Sequence, residues 1–336
     1  MYHEELSDTI EHLTQKGKGI LAADESNGTI GKRFATIQVE NSEENRRAYR
    51  LLLATTPDLE KSIHSVILFE ETFTQTNDQK KSIPEIFLEK GIIPGIKVDK
   101  GLVPLANTHE EQITQGLDGL TERLLHFKKL GARFAKWRNV YSISEYTPSL
   151  TAIKAGAEVL ACYAATCQSI GIVPIVEPEI LIDGSHSIDH CAEVAENVLH
   201  EVFNALFLHQ VVLEAMILKP SMVTCGNKHT PFCTPEDVAD YTISVFRNTV
   251  PAAVPTINFL SGGQSSVDAT INLNEINQVG QQPWQLSFSY GRALQDDCLK
   301  AWRGQEENIN QAQAALRKRA ELNSKACLGE YRSDME

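Results

Sequence analysis

Ala215-Met216-Ile217-Leu218-Lys219 sets four apolar side chains directly ahead of an ammonium group. The same design recurs in Ile93-Pro94-Gly95-Ile96-Lys97 and in Phe134-Ala135-Lys136. Short apolar runs of this kind read as strands buried on both faces, as in a parallel sheet. A charge attached to such a strand is costly to desolvate, so each lysine needs a partner or a chemical purpose. A desolvated lysine crowded by another cation loses basicity and becomes a nucleophile toward carbonyl carbon.

Working outward from these three, eight runs of the same character occupy positions 19–24, 65–70, 93–97, 132–136, 172–177, 215–219, 256–261 and 286–292. The segments between them carry helix signals. Asn41 followed by Glu44 reads as a capped start, with Ala48, Leu51 and Leu52 as the apolar stripe. Leu117, Leu120, Leu124 and Phe127 recur at helical spacing, and Gly131 ends that helix. Ile188, Cys191, Val194, Val198 and Val202 make a third stripe, and Thr234-Pro235-Glu236-Asp237 opens a fourth helix. Strands alternating with helices imply a parallel sheet, and eight such units close into an α/β fold, a (β/α)8 TIM barrel spanning 1–336 as one domain. The competing open, doubly wound sheet lacks its usual Gly-x-Gly-x-x-Gly turn after the first strand.

The runs end, in order, on Asp24, Glu70, Lys97, Lys136, Glu177, Lys219, Ser261 and Arg292. In a barrel the C-terminal strand ends meet at one mouth, where active sites of this architecture lie. All eight are therefore expected around one cavity. Ser261-Gly262-Gly263 and Tyr290-Gly291-Arg292 follow the last two runs, where backbone N–H groups and a guanidinium suit a phosphate.

Composition excludes several other readings. The chain has 336 residues, 42% of them hydrophobic, which is enough for a large core without disulfides or metals. The net charge of -13, from 31 basic and 44 acidic residues, argues against a nucleic-acid partner. No run of about 18 apolar residues stands out, so membrane insertion is not expected. Met1-Tyr2-His3-Glu4-Glu5 lacks the basic and apolar regions of a signal peptide. Seven cysteines without a Cys-x-x-Cys pair read as reduced thiols of a cytoplasmic protein.

With these residues in view, the chain resembles the class I fructose-bisphosphate aldolases, the Schiff-base, metal-independent type. The likeness runs from about Glu5 to Tyr331. It is carried by Gly19-Ile20-Leu21-Ala22-Ala23-Asp24-Glu25-Ser26, Gly95-Ile96-Lys97-Val98-Asp99-Lys100-Gly101, Phe134-Ala135-Lys136-Trp137-Arg138, Val176-Glu177-Pro178-Glu179, Leu218-Lys219-Pro220, Phe259-Leu260-Ser261-Gly262-Gly263-Gln264 and Ser289-Tyr290-Gly291-Arg292. The resemblance implies a cytoplasmic enzyme of glycolysis and gluconeogenesis, usually a homotetramer. It implies cleavage of fructose 1,6-bisphosphate into two triose phosphates, with sugar phosphates as small-molecule partners and no metal or other cofactor.

Breaking the C3–C4 bond leaves a carbanion beside C2, and a protonated imine at C2 is the electron sink that the chemistry needs. The resemblance assigns that imine to Lys219, which also follows the most apolar of the three runs. A neighbouring Lys136 is expected to lower its basicity by like-charge repulsion. Glu177 is expected to move protons as the carbinolamine loses water, with Glu179 and Arg138 holding Lys136 and Glu177. Asp24 is expected to handle the C4 hydroxyl proton. Ser261, Gly262, Gly291 and Arg292 are expected at the near phosphate, and Lys97, Ser26, Thr29 and Arg33 at the far one. Thr29 stands where the family commonly has serine. The chain reads to Glu336, shortly after Tyr331, so the flexible tyrosine-ended tail of many animal members is expected to be missing.

Other readings use the same residues differently. His186 and His190 have the i, i+4 spacing of a zinc pair, as a metal-dependent aldolase would require. However, His186 adjoins Asp183-Gly184, a loop signature, and a third ligand is lacking. Glu177, Lys136 and Lys219 would alternatively form a purely structural ion-pair network. Transaldolases and deoxyribose-phosphate aldolases share the imine and the barrel without these segments, and a scaffolding role would not need them.

Overall fold

The computed structural model describes residues 3–336. The first two residues of the Met1-Tyr2-His3-Glu4-Glu5 stretch, read above for a signal peptide, lie outside them. The strands are β1 (Gly19–Ala23), β2 (Ile63–Leu68), β3 (Ile93–Lys97), β4 (Leu102–Pro104), β5 (Gln112–Thr114), β6 (Phe134–Tyr141), β7 (Val173–Ile180), β8 (Ile217–Leu218), β9 (Thr256–Phe259) and β10 (Gln285–Tyr290). All but β4 and β5 close a parallel barrel, each strand beside the next, with β10 returning to β1. The fold is the expected TIM barrel. The antiparallel β4–β5 hairpin is an insertion that the alternation of runs did not reveal.

Side-chain alternation along the strands divides the apolar residues into two clusters. Leu21, Val66, Leu68, Ile96, Ala135, Trp137, Val176 and Leu218 face outward beneath the helices. Ile20, Ala22, Ile67, Ile93, Phe134, Val173, Ile175 and Ile217 face the lumen. Both follow from the period of two in a strand. Full burial of one such side chain contributes about 1.5–3 kcal/mol, so both faces of every strand favour closure. Leu6 and Leu13 of the helix His3–Leu13 join the lumen cluster from below. Gly95 is demanded by space: a Cβ there would lie 2.2 Å from the Phe134 ring.

Several local expectations are corrected. Glu70 leaves the strand, because β2 ends at Leu68 and Glu70 opens the short helix Glu70–Thr74. It shares the outward parity of Val66 and Leu68 and pairs with Lys100 at 2.7 Å. The helix Glu43–Ala54 is capped by Ser42, not Asn41, since the Asn45 N–H donates to the Ser42 hydroxyl. Its buried face is Tyr49, Leu52 and Leu53, and Ala48 is exposed. Leu117 precedes the helix Leu120–Lys129, because Gly119 takes a left-handed conformation at its start. By contrast, Thr234 and Asp237 form a reciprocal capping box on the helix Pro235–Thr249, as the motif requires. The helix Leu150–Ser169 is long and apolar enough to cross a bilayer by composition, although no unbroken apolar run marks it in the sequence. About half of it is buried, where it packs against β6, β7 and the helix Ile188–Leu208.

Candidate active site

A cavity of about 660 Å³ opens at the C-terminal strand ends. Of the eight run-ending residues, Asp24, Lys136, Glu177, Lys219, Ser261 and Arg292 line it. Lumen parity explains their convergence. Along β7 the inward series Val173, Ile175, Glu177, Glu179 passes from apolar to charged toward the mouth, and β6 does the same through Phe134, Lys136 and Arg138. Lys219 follows the inward Ile217, and its backbone N–H donates to the Val176 carbonyl at 2.8 Å, fixing it beside β7.

The charged centre is a chain of contacts. Lys219 Nζ lies 3.1 Å from Glu177 Oε1, Glu177 Oε2 lies 3.0 Å from Lys136 Nζ, and Lys136 Nζ lies 2.8 Å from Asp24 Oδ2. All four residues are buried. Burial alone would favour neutral carboxyls, but Lys136 and then Lys219 outweigh it, holding Asp24 well below the usual carboxylate range and lowering Glu177 from its ordinary value. The burial cost at Lys136 is likewise outweighed by Asp24 and Glu177, so its ammonium is held more tightly than an ordinary lysine's. Glu179 pairs with Arg138 rather than with Lys136. Glu177 thus stands between two ammonium groups, and Lys136 between two carboxylates.

The cations of the cavity rim fall in two neighbouring groups, behind β10 and behind β1, which adjoin in the barrel. Arg292 opens the helix Arg292–Trp302 behind Gly291, so its side chain and the helix N-terminus face the cavity together. Across β10, Ser261 and Gly262 lie on the wall; Gly262 and Gly263 take φ of +53° and +87°, which favour glycine. In the second group, Arg33 lines the cavity from the helix Asn27–Thr36, held by Glu25 and, at 3.1 Å, by Asp296 of the helix Arg292–Trp302. Thr29 is on the wall, and Ser26 caps the same helix, 3.1 Å from the Thr29 hydroxyl. Lys97 is not on the wall; it turns to Asp99 at 2.7 Å.

Sequence reasoning missed other wall residues. Ser289 presents a buried hydroxyl without a hydrogen-bond partner, two residues before Gly291 and in the same inward register as Ser287. Lys32 and Lys300 add positive charge to the rim, and Glu25 and Asp296 orient Arg33. Parity from Lys136 and Glu177 marks Arg138 and Glu179, but nothing in the sequence joins Asp296 to Arg33. His186 precedes the helix Ile188–Leu208, and His190 turns to Glu193 at 3.3 Å, so the i, i+4 pair does not form one helical face. Among the described residues, Glu158, Cys162 and His209 bring metal-ligating atoms near one another, but none of them lines the cavity.

Comparison with known proteins is consistent across sequence and structure. Residues 5–336 match the family model described as fructose-bisphosphate aldolase class-I. The chain is 54% identical over 333 residues to the cytosolic fructose-bisphosphate aldolase 4 of Arabidopsis thaliana, covering 99% of this chain and 85% of that one. It is 53% identical over 330 residues to the non-muscle fructose-bisphosphate aldolase of Lethenteron camtschaticum, covering 98% and 91%. A Plasmodium falciparum fructose-bisphosphate aldolase, solved with TRAP and a small-molecule inhibitor, superposes with a TM-score of 0.97 at 52% identity, covering 98% of this chain and 96% of that one. A chloroplastic aldolase of Arabidopsis thaliana is also 52% identical, so the relatives span more than one compartment.

Proposed function

The chain belongs to the class I fructose-bisphosphate aldolases, lyases of glycolysis that act on sugar phosphates, and from this premise we propose the roles of its individual residues. The observation that carries the reading is the unbroken chain of contacts Lys219–Glu177–Lys136–Asp24 within the cavity. Lys219 gives its proton to Glu177 and attacks C2 of the open-chain ketose. Glu177 returns a proton to the carbinolamine hydroxyl, water leaves, and a protonated imine remains. Asp24, ionised at neutral pH, takes the C4 hydroxyl proton while the C3–C4 electron pair moves into the imine. Lys136 keeps Asp24 charged through these steps and favours return of the proton from Glu177, and the Arg138–Glu179 pair closes the cluster on its solvent side.

Ser261, Gly262, Gly291 and Arg292 receive the phosphate on the imine side, where a helix N-terminus and a guanidinium act together. Thr29, Arg33 and the Ser26-capped helix receive the far phosphate. Lys97 stands apart from the far phosphate, because its ammonium is held by Asp99, and its field adds a little to keeping Asp24 ionised. We further read residues 1–336 as one domain of a cytoplasmic homotetramer, by analogy with the family. Light scattering and cell fractionation test those two points.

The decisive experiment is borohydride reduction in the presence of dihydroxyacetone phosphate, followed by peptide mapping. We expect the label on Lys219 and full activity in EDTA. Labelling of another lysine, or loss of activity on chelation, would falsify the assignment.

A further inference from the structure

The loop leaving Lys219 carries two cysteines that the aldol chemistry does not use. Cys225 follows β8, and Cys233 immediately precedes Thr234, the cap of the helix Pro235–Thr249. Their Sγ atoms lie 2.7 Å apart, well inside the roughly 3.5–4.0 Å at which non-bonded heavy atoms settle. The backbones are also matched. The Cys233 N–H donates to Cys225 Sγ at 2.9 Å, and the Cys225 N–H donates to Cys233 Sγ at 3.2 Å. Both thiols are free. The other five cysteines sit on the helices Leu150–Ser169, Ile188–Leu208 and Arg292–Trp302 and beyond Ala326.

The loop between the two cysteines is fastened to the turn that follows β7. The N–H groups of Gly226, Asn227 and Lys228 donate to the carbonyls of His186, Ile182 and Gly184, at 2.8 to 2.9 Å. A bond between the sulfurs would therefore close, with little movement, one mouth loop that is already hydrogen-bonded to its neighbour. Cys225 is 1% exposed, whereas Cys233 is half-buried and is the sulfur that a small oxidant reaches first.

We propose that Cys225 and Cys233 form a reversible disulfide under hydroperoxide, a redox clasp on the loop that runs from Lys219 to the helix Pro235–Thr249. The Cys233 thiolate attacks the peroxide, the O–O bond breaks, and Cys233 becomes a sulfenic acid with loss of hydroxide. Cys225 sulfur then attacks Cys233 sulfur, the S–O bond breaks, and water leaves. In total two thiols and one peroxide give one disulfide and two waters, each sulfur losing one electron. Burial pushes the Cys233 thiol up to about 12, so little thiolate is present at neutral pH and closure needs sustained oxidant. Neither sulfur lines the cavity, so the clasp acts on loop rigidity and leaves the reacting groups in place.

The test uses the full chain treated with hydrogen peroxide, alkylated, digested without reductant and mapped. We expect a peptide linking Cys225 to Cys233 that disappears after dithiothreitol. We also expect slower thermal inactivation of the oxidised form and kcat/KM within about twofold of the reduced form. In Cys225→Ser, Cys233 should pass on to sulfinic acid, because no partner intercepts its sulfenic acid. Recovery of Cys233 oxidised alone in the parent chain, or of Cys225 linked to any other cysteine, overturns the proposal. The peptide map of the parent chain decides this even if the serine variant fails to fold.

Discussion

Lys136 determines the charge state of the whole cluster, since it touches both Asp24 and Glu177. Lys136→Met leaves two buried carboxylates facing each other, and loss of one partner from a buried ionic network costs about 3–5 kcal/mol. We expect that loss in chemical denaturation at neutral pH and a smaller one at pH 4, where protonation relieves the repulsion. The parent chain responds to acid in the opposite sense. Asp24 and Glu177 are depressed in the fold, so their contribution is complete above the ordinary carboxylate range and is lost as pH falls below it. Asp24→Asn keeps the shape of the side chain and removes the base. The expected fall in kcat for cleavage is about 10²–10⁴-fold, with borohydride trapping at Lys219 preserved. Near-normal kcat in that variant would remove Asp24 from the proton path.

At the scale of elements, two neighbouring helix N-termini, behind the adjoining strands β10 and β1, mark the two proposed phosphate sites. Removing one charge-assisted contact costs roughly 1.5–3 kcal/mol, or about 10- to 100-fold in kcat/KM. Arg292→Ala is expected to impair fructose 1,6-bisphosphate and fructose 1-phosphate alike. Arg33→Ala is expected to impair the bisphosphate far more, because only that substrate carries a far phosphate. Equal losses for Arg33→Ala would assign the residue to holding Glu25 and Asp296 instead. The position of Lys219 was legible because β8 is apolar to its end, so the first polar residue marks the mouth. The same rule misled at Glu70, where parity directs the side chain away from the lumen. It also stopped β6 and β7 too early, since inward charges at Arg138 and Glu179 continue the strand to Tyr141 and Ile180. Ser42 was missed as a cap because Asn41 satisfies the same pattern one residue earlier. The pairing of Arg33 with Asp296 spans most of the chain and has no local signature.

For the molecule as a whole, the lumen is graded, from Leu6, Leu13 and Phe134 below to the ionic cluster above. Leu13→Ala opens the base of the barrel and is expected to cost about 2–5 kcal/mol. Because Leu13 belongs to the apolar base and not to the cavity wall, KM should change little while the denaturation midpoint falls. Unchanged stability would mean that the base can collapse around the missing side chain. The plug at the bottom also has a kinetic meaning. A tube sealed at one end has a single doorway, so both fragments of the split sugar must leave the way the sugar came in. On the imine proposed at Lys219, the fragment tethered through nitrogen cannot move until water cuts it loose. The untethered aldehyde therefore departs first, and in the synthetic direction it must arrive second. Steady-state patterns should accordingly be ordered, with the ketone product acting as the competitive inhibitor against the parent sugar and the aldehyde as the noncompetitive one.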